Sequence, residues 1–284
     1  MATNKHHKTA LITGANSGVG LELTLKLLSE GWHVLALIRS GFPNDNEPQV
    51  QHALSTGQLR IYKADLADFS SLKKALEQIQ KSESHIDILF NNAGVSLGEM
   101  IFSPLGREMH FEVNTVVPYI IFMELKELLR QGNLRTVINT SSNASLIVKR
   151  FEVELLERPA KFKKLVGPYA SSKLALSLWT QEIAPAAAAE GIKIRSVCPG
   201  ANKTTMTSSS GMPGYMIPIR NLIFSHPSKG ASRLYEAALG EFSEQTGIFL
   251  KKGKVTPLIF TQHSSQVLSK IDQIYKQQFI ESTF

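Results

Sequence analysis

At 284 residues and 43% apolar content, the chain can fill the core of an α/β sheet covered on both faces, and the reading is one domain spanning 1–284. Its 31 Lys and Arg against 24 Asp and Glu give a formal charge of +7, but the basic residues are dispersed, which argues against a nucleic-acid partner and for a solvated surface suited to an anionic ligand. A single cysteine, Cys198, excludes an internal disulfide and fits a reducing compartment. MATNKHHKTA at the start holds no apolar signal core and no run is long enough to span a bilayer, so no transmembrane segment is read and the expected location is cytoplasmic.

The chain opens with an apolar strand over 9–12, the sequence TGANSGVG at 13–20, and a helix over 18–30 with Val19, Leu23 and Leu27 on one face. Strand, glycine turn and helix are the context a dinucleotide site requires. Gly14 permits the sharp turn, Gly18 lets backbone approach a pyrophosphate, and Gly20 lets helix and strand pack closely. A second strand is expected over 32–38; Arg39 follows it, with no carboxylate until Asp45. A ribose-binding acid is therefore missing and a cation stands in its place, which reads as a 2′-phosphate partner and NADP(H), against the plainer reading of a surface cation.

Further strands are expected over 59–63, 86–91, 135–140, 192–197 and 247–250, with helices over 70–81, 107–130, 169–190 and 229–239. Seven strands alternating with helices predict a doubly wound, Rossmann-type parallel sheet. Asp65 and Leu66 follow the third strand, and Asp65 competes with Asp68 as cap of the next helix. NNAG ends the fourth strand, where Asn92, Ala93 and Gly94 permit a close backbone approach. In the long helix that follows, Pro118 has no N–H to give the Asn114 carbonyl four residues earlier, so distortion is expected there. YASSK sets Tyr169 and Lys173 one helical turn apart, a phenol beside an ammonium, which favours the phenolate and outlines a proton-transfer device.

TGANSGVG, NNAG, Asn114, the pair Ser141 and Ser142, YASSK and CPG at 198–200, in this order and spacing, resemble the short-chain dehydrogenase/reductase family. The NSG form of the glycine turn and the long stretch before Tyr169 are most similar to its retinol dehydrogenase-like and NADPH-dependent carbonyl reductase branch. The resemblance implies a catalytic set of Asn114, Ser142, Tyr169 and Lys173. Tyr169 would be the acid or base at a carbonyl or alcohol oxygen, Ser142 a donor to that oxygen, and Lys173 the group that lowers the phenol's pKa and holds the nicotinamide ribose. The Asn114 carbonyl would hold a water linked to Lys173. The resemblance also implies an NADP(H) site made by Gly14, Asn16, Ser17, Gly18, Val19, Gly20, Arg39, Asp65, Leu66, Asn92, Ala93, Gly94, Tyr169, Lys173, Pro199, Gly200 and Thr204. No metal ligands are assigned.

Between Ser142 and Tyr169 lie 26 residues, and an insert over 145–166 is read as a substrate entrance or as cover for a helix face that relatives use to dimerise. Monomer and homodimer both stay open. The apolar but Ser-, Gly- and Pro-broken stretch 206–228 reads as a lid suited to an apolar carbonyl or alcohol, and 262–280 as a final amphipathic helix. Two competing readings are a non-catalytic NADP(H)-binding sensor or scaffold and a sugar-nucleotide epimerase of the extended type. Completeness of the four-residue set disfavours the first, and the glycine spacing and length disfavour the second.

Overall fold

The computed structural model describes residues 7–42, 48–204 and 224–281. Most of the predicted lid falls outside them. Among the described residues eight strands form one sheet in the order β3-β2-β1-β4-β5-β6-β7-β8. Strands β1 (Thr9–Thr13), β2 (His33–Ile38), β3 (Leu59–Lys63), β4 (Ile88–Asn91), β5 (Thr136–Thr140), β6 (Lys193–Cys198) and β7 (Phe249–Lys251) are mutually parallel. The Rossmann-type reading holds, and β1 is buried along its whole length because helices cover both faces.

The seven predicted strands gain an eighth, β8 (Lys254–Val255), antiparallel to β7. Lys252 and Gly253 between them both take positive φ, at 52° and 69°, as a two-residue hairpin of primed type requires. Two exposed residues carry no alternation to read.

One layer holds helices α1 (Gly18–Ser29), α2 (Pro48–Ser55) and α8 (Pro227–Leu239), packed through Leu23, Leu27, Val50 and Leu234 against Ile12, Ala36 and Ile138. The other holds α3 (Phe69–Ser82), α5 (Val117–Glu124), α7 (Pro168–Ala189) and α9 (Ser264–Ile274), packed through Leu72, Ile120, Trp179 and Ile271 against Leu11, Leu89 and Val137. The single helix expected over 107–130 is divided. It comprises α4 (Met109–Phe111), a π-turn over Glu112–Val116, α5, and α6 (Lys126–Gln131) after a break at Leu125. α9 runs on into a second π segment, Tyr275–Ile280. Strand order reverses between β1 and β4, so a crevice opens beyond their carboxyl ends.

Candidate active site

Three glycines shape the first wall of that crevice. Gly14 and Gly18 take φ of +66° and +52°, and a Cβ built on Gly20 would lie 2.1 Å from the Gly14 carbonyl, so only glycine lets α1 start this close to β1. Ser17 stands at the N-cap of α1 in extended backbone without a side-chain cap bond, and Val19 is buried behind it. Asn16 Nδ2 donates to the Ser40 and Gly41 carbonyls at 3.1 and 2.9 Å, which ties the turn to the end of β2. Arg39, beside it, is exposed and forms no ion pair among the described residues.

Thr13 holds the facing loop: its Oγ1 accepts from the Asn92 and Ala93 amides at 3.0 and 2.8 Å, and its carbonyl accepts from Asn92 Nδ2. Gly94 follows directly. After β3 the cap of α3 is Asp68, which accepts from the Ser70 and Ser71 amides, whereas Asp65 closes a local turn on the Ala67 amide and Leu66 packs on the core. The Pro199 carbonyl accepts from Arg233 Nη1 at 2.8 Å, Gly200 turns with φ of +83°, and the Thr204 methyl lies 2.9 Å from where a Gly18 Cβ would be. The loops after β1, β2, β4 and β6 thus meet. Close-packed glycine backbone, a helix N-terminus and an exposed arginine with no ion pair among the described residues fit an anionic dinucleotide.

Asn114 occupies the π-turn. Its amide makes three bonds: Oδ1 accepts from the Val95 amide at 2.8 Å, and Nδ2 donates to the Val95 carbonyl and to Ser172 Oγ at 3.0 and 3.1 Å. It therefore joins the loop after β4 to α7. The Val117 amide reaches the Glu112 carbonyl five residues back, and Pro118 lies next along the chain, as the expected distortion requires.

Ser141 and Ser142 part company. Ser141 Oγ is taken up by α7, donating to the Lys173 carbonyl and contacting Ser177 Oγ, while the Ser142 hydroxyl faces the Tyr169 phenol. Tyr169 and Lys173 are both buried. Burial pushes the Tyr169 phenol up, and the Ser142 hydrogen bond opposes this less strongly. The expectation that Lys173 draws the phenol down is not met here: its Nζ donates to the Thr140 carbonyl at 2.7 Å, and burial lowers the Lys173 pKa to about 8.

Two further side chains border the pair, of which His110 escaped the sequence reading. Cys198 is buried beside the pair, its Sγ 3.1 Å from Asn143 Oδ1 and its thiol pushed up by burial. His110 lies edge-on to Tyr169 with ring centroids 6.0 Å apart. Spacing from Asn114 was the available signal, since 110 and 114 share a helical face. The insert is ordered: the Glu108 amide donates to the Glu157 carbonyl at 2.8 Å and Phe162 stacks on His110.

The model of the short chain dehydrogenase family matches residues 8–154 and 159–212, and the chain belongs to that family. Within it the chain is retinol dehydrogenase-like: it is 30% identical over 236 residues to retinol dehydrogenase 12 of Mus musculus, covering 82% of this chain and 74% of that one. In fold it resembles the NADPH-bound carbonyl reductase from chicken fatty liver, with TM-score 0.68, 22% identity and coverage of 88% and 98% of the two chains. It also resembles an oxidoreductase from Brucella ovis in complex with a partially ordered NAD, with TM-score 0.60, 22% identity and coverage of 86% and 99%.

Proposed function

We propose that this oxidoreductase uses NADP(H) and interconverts an apolar aldehyde or ketone with its alcohol, as a single-domain cytoplasmic enzyme. The observation that carries the reading is the convergence of Ser142, which follows β5, with the buried Tyr169 and Lys173 of α7, at the same carboxyl edge of the sheet that carries the glycine turn after β1. Gly14, Asn16, Ser17, Gly18, Val19 and Gly20 would hold the pyrophosphate, Arg39 the 2′-phosphate, Asp65 and Leu66 the adenine. Asn92, Ala93, Gly94, Tyr169 and Lys173 would line the ribose, and Pro199, Gly200 and Thr204 the carboxamide. NADPH supplies the hydride when bound.

Tyr169 gives its proton to the substrate oxygen, and a phenol raised by burial is well suited to donate. Ser142 donates a second hydrogen bond to the same oxygen and stabilises the charge that develops on it. Lys173 keeps positive charge close by, and the π-turn holds Asn114 against α7. A non-catalytic sensor would need the cradle but not this convergence. NADPH consumption is to be followed by nicotinamide absorbance against a panel of aldehydes and ketones. Apolar carbonyls should be preferred, and Tyr169→Phe should lower kcat by about 10²–10⁴-fold while NADPH still binds. Turnover by Tyr169→Phe equal to the parent, or a panel accepting only small polar carbonyls, would refute the reading.

A further inference from the structure

His110 is 1% exposed, and both of its ring nitrogens are hydrogen-bonded. Nε2 accepts from the Leu97 amide at 2.9 Å, which places the ring proton on Nδ1, and Nδ1 donates to Glu108 Oε1 at 2.6 Å. Glu108 is itself buried, and its second oxygen accepts from the Phe111 amide at 3.1 Å. The ring meets Tyr169 edge-on and Phe162 of the insert on its other side.

His110 and Asn114 lie four residues apart, and both hold the loop after NNAG. Asn114 takes both polar groups of Val95, and His110 takes the amide of Leu97. Each also reaches the catalytic turn of α7, Asn114 through Ser172 and His110 through the Tyr169 ring. We propose that His110, held as its Nδ1–H tautomer by Glu108, is a positioning residue: it clamps the Leu97 amide and fixes the plane of the Tyr169 ring, so that loop and phenol present one geometry to the substrate oxygen. This rests on the oxidoreductase reading above.

The carboxylate is needed because only it can accept from both Nδ1–H and the Phe111 amide. In Glu108→Gln one of the two faces an NH₂ group instead. Either the helix loses its cap or the ring proton moves to Nε2 and opposes the Leu97 N–H.

The test combines ¹⁵N spectra of the imidazole, ¹³C-labelled tyrosine and steady-state kinetics on the full chain. The parent should show Nδ1 protonated and Nε2 as acceptor at neutral pH; an Nε2–H or doubly protonated ring overturns the proposal. His110→Phe keeps an aromatic wall but no polar atom. Its kcat should fall about tenfold with KM for NADPH changed by less than about twofold, and the Tyr169 Cζ resonance should move or split. His110→Gln, whose Oε1 can still accept from Leu97, should recover most of the loss. A kcat for His110→Phe within about twofold of the parent, or no recovery in His110→Gln, overturns the clamp. Should His110→Phe fail to fold, Glu108→Gln is read in its place, with loss of the Nδ1–H signature or of rate expected and neither seen if the proposal is wrong. A parent that reduces no carbonyl would refute the oxidoreductase reading alone, while the ¹⁵N and ¹³C spectra would still decide the clamp.

Discussion

Lys173 carries opposite pH signs for stability and for activity. Its folded pKa, about 8, lies below the ordinary 10.5, so between those values the unfolded chain binds more protons and this group's contribution to stability rises with pH. In the proposed reduction the phenol must be protonated and the amine charged, and both requirements favour low pH. Burial has raised the phenol, so the amine is lost first: kcat/KM for carbonyl reduction should fall as pH rises through about 8. A profile level to well above that value would remove Lys173 from the charge-holding role. Arg39 offers a second residue-level test, because its exposed guanidinium at the end of β2, with no ion pair among the described residues, is the group proposed to meet a 2′-phosphate. Arg39→Asp should reverse the preference from NADPH toward NADH, by about 1–3 kcal/mol in relative kcat/KM, as loss of a charge-assisted bond implies. Unchanged selectivity would leave Arg39 a surface cation.

The π-turn is held from several sides. At its first residue Glu112 is fully buried against Arg107, whose Nη1 donates in turn to Gln278 of the C-terminal π segment, and whose guanidinium lies 5.2 Å from the centre of the Phe69 ring. Among the described residues Arg107 Nη2 makes no hydrogen bond, and burial raises the Glu112 carboxyl despite the Arg107 cation and the Ser103 hydroxyl, which both act to lower it. Breaking such a pair from one side costs more than the pair is worth. Arg107→Met should destabilise the fold by about 3–5 kcal/mol in urea unfolding, and the double variant Arg107→Met, Glu112→Leu should regain most of it; equal losses in both would show that packing on Phe69 matters instead. Pro118 made the site of the π-turn legible, since a missing N–H is a local fact. The ion pair with its glutamine was not legible, because Arg107 and Gln278 stand 171 positions apart and nothing local in either segment marks the other.

For the molecule as a whole, the parallel sheet could be read because buried strands are continuous apolar runs and the glycine turn names its own context, and residue type narrowed the cap of α3 to Asp65 or Asp68, of which the structure takes Asp68; the hairpin to β8 rests on two backbone torsions that composition does not encode. The faces of α5 and α7 are covered from within the chain. In the structure α9 and the π segment after it lie there: Val267, Ile271, Ile274, Tyr275 and Phe279 are buried with Tyr119, Ile120 and Trp179, and Tyr119 donates to Asp272 at 2.9 Å. The insert reaches the rim of the same helix, through Lys270 to Glu157 at 2.6 Å, with both side chains partly exposed. These two attachments differ in physical kind and hence in expected cost. Ile271→Ala removes buried volume that cannot readily collapse and should cost about 2–5 kcal/mol, whereas Lys270→Ala breaks a solvated pair and should cost no more than about 1 kcal/mol. Unfolding in urea measures both. If Lys270→Ala proved as costly as Ile271→Ala, the tail would be held by the insert and not by its own apolar face, and the sheet's second layer would have to be understood as ending at α7.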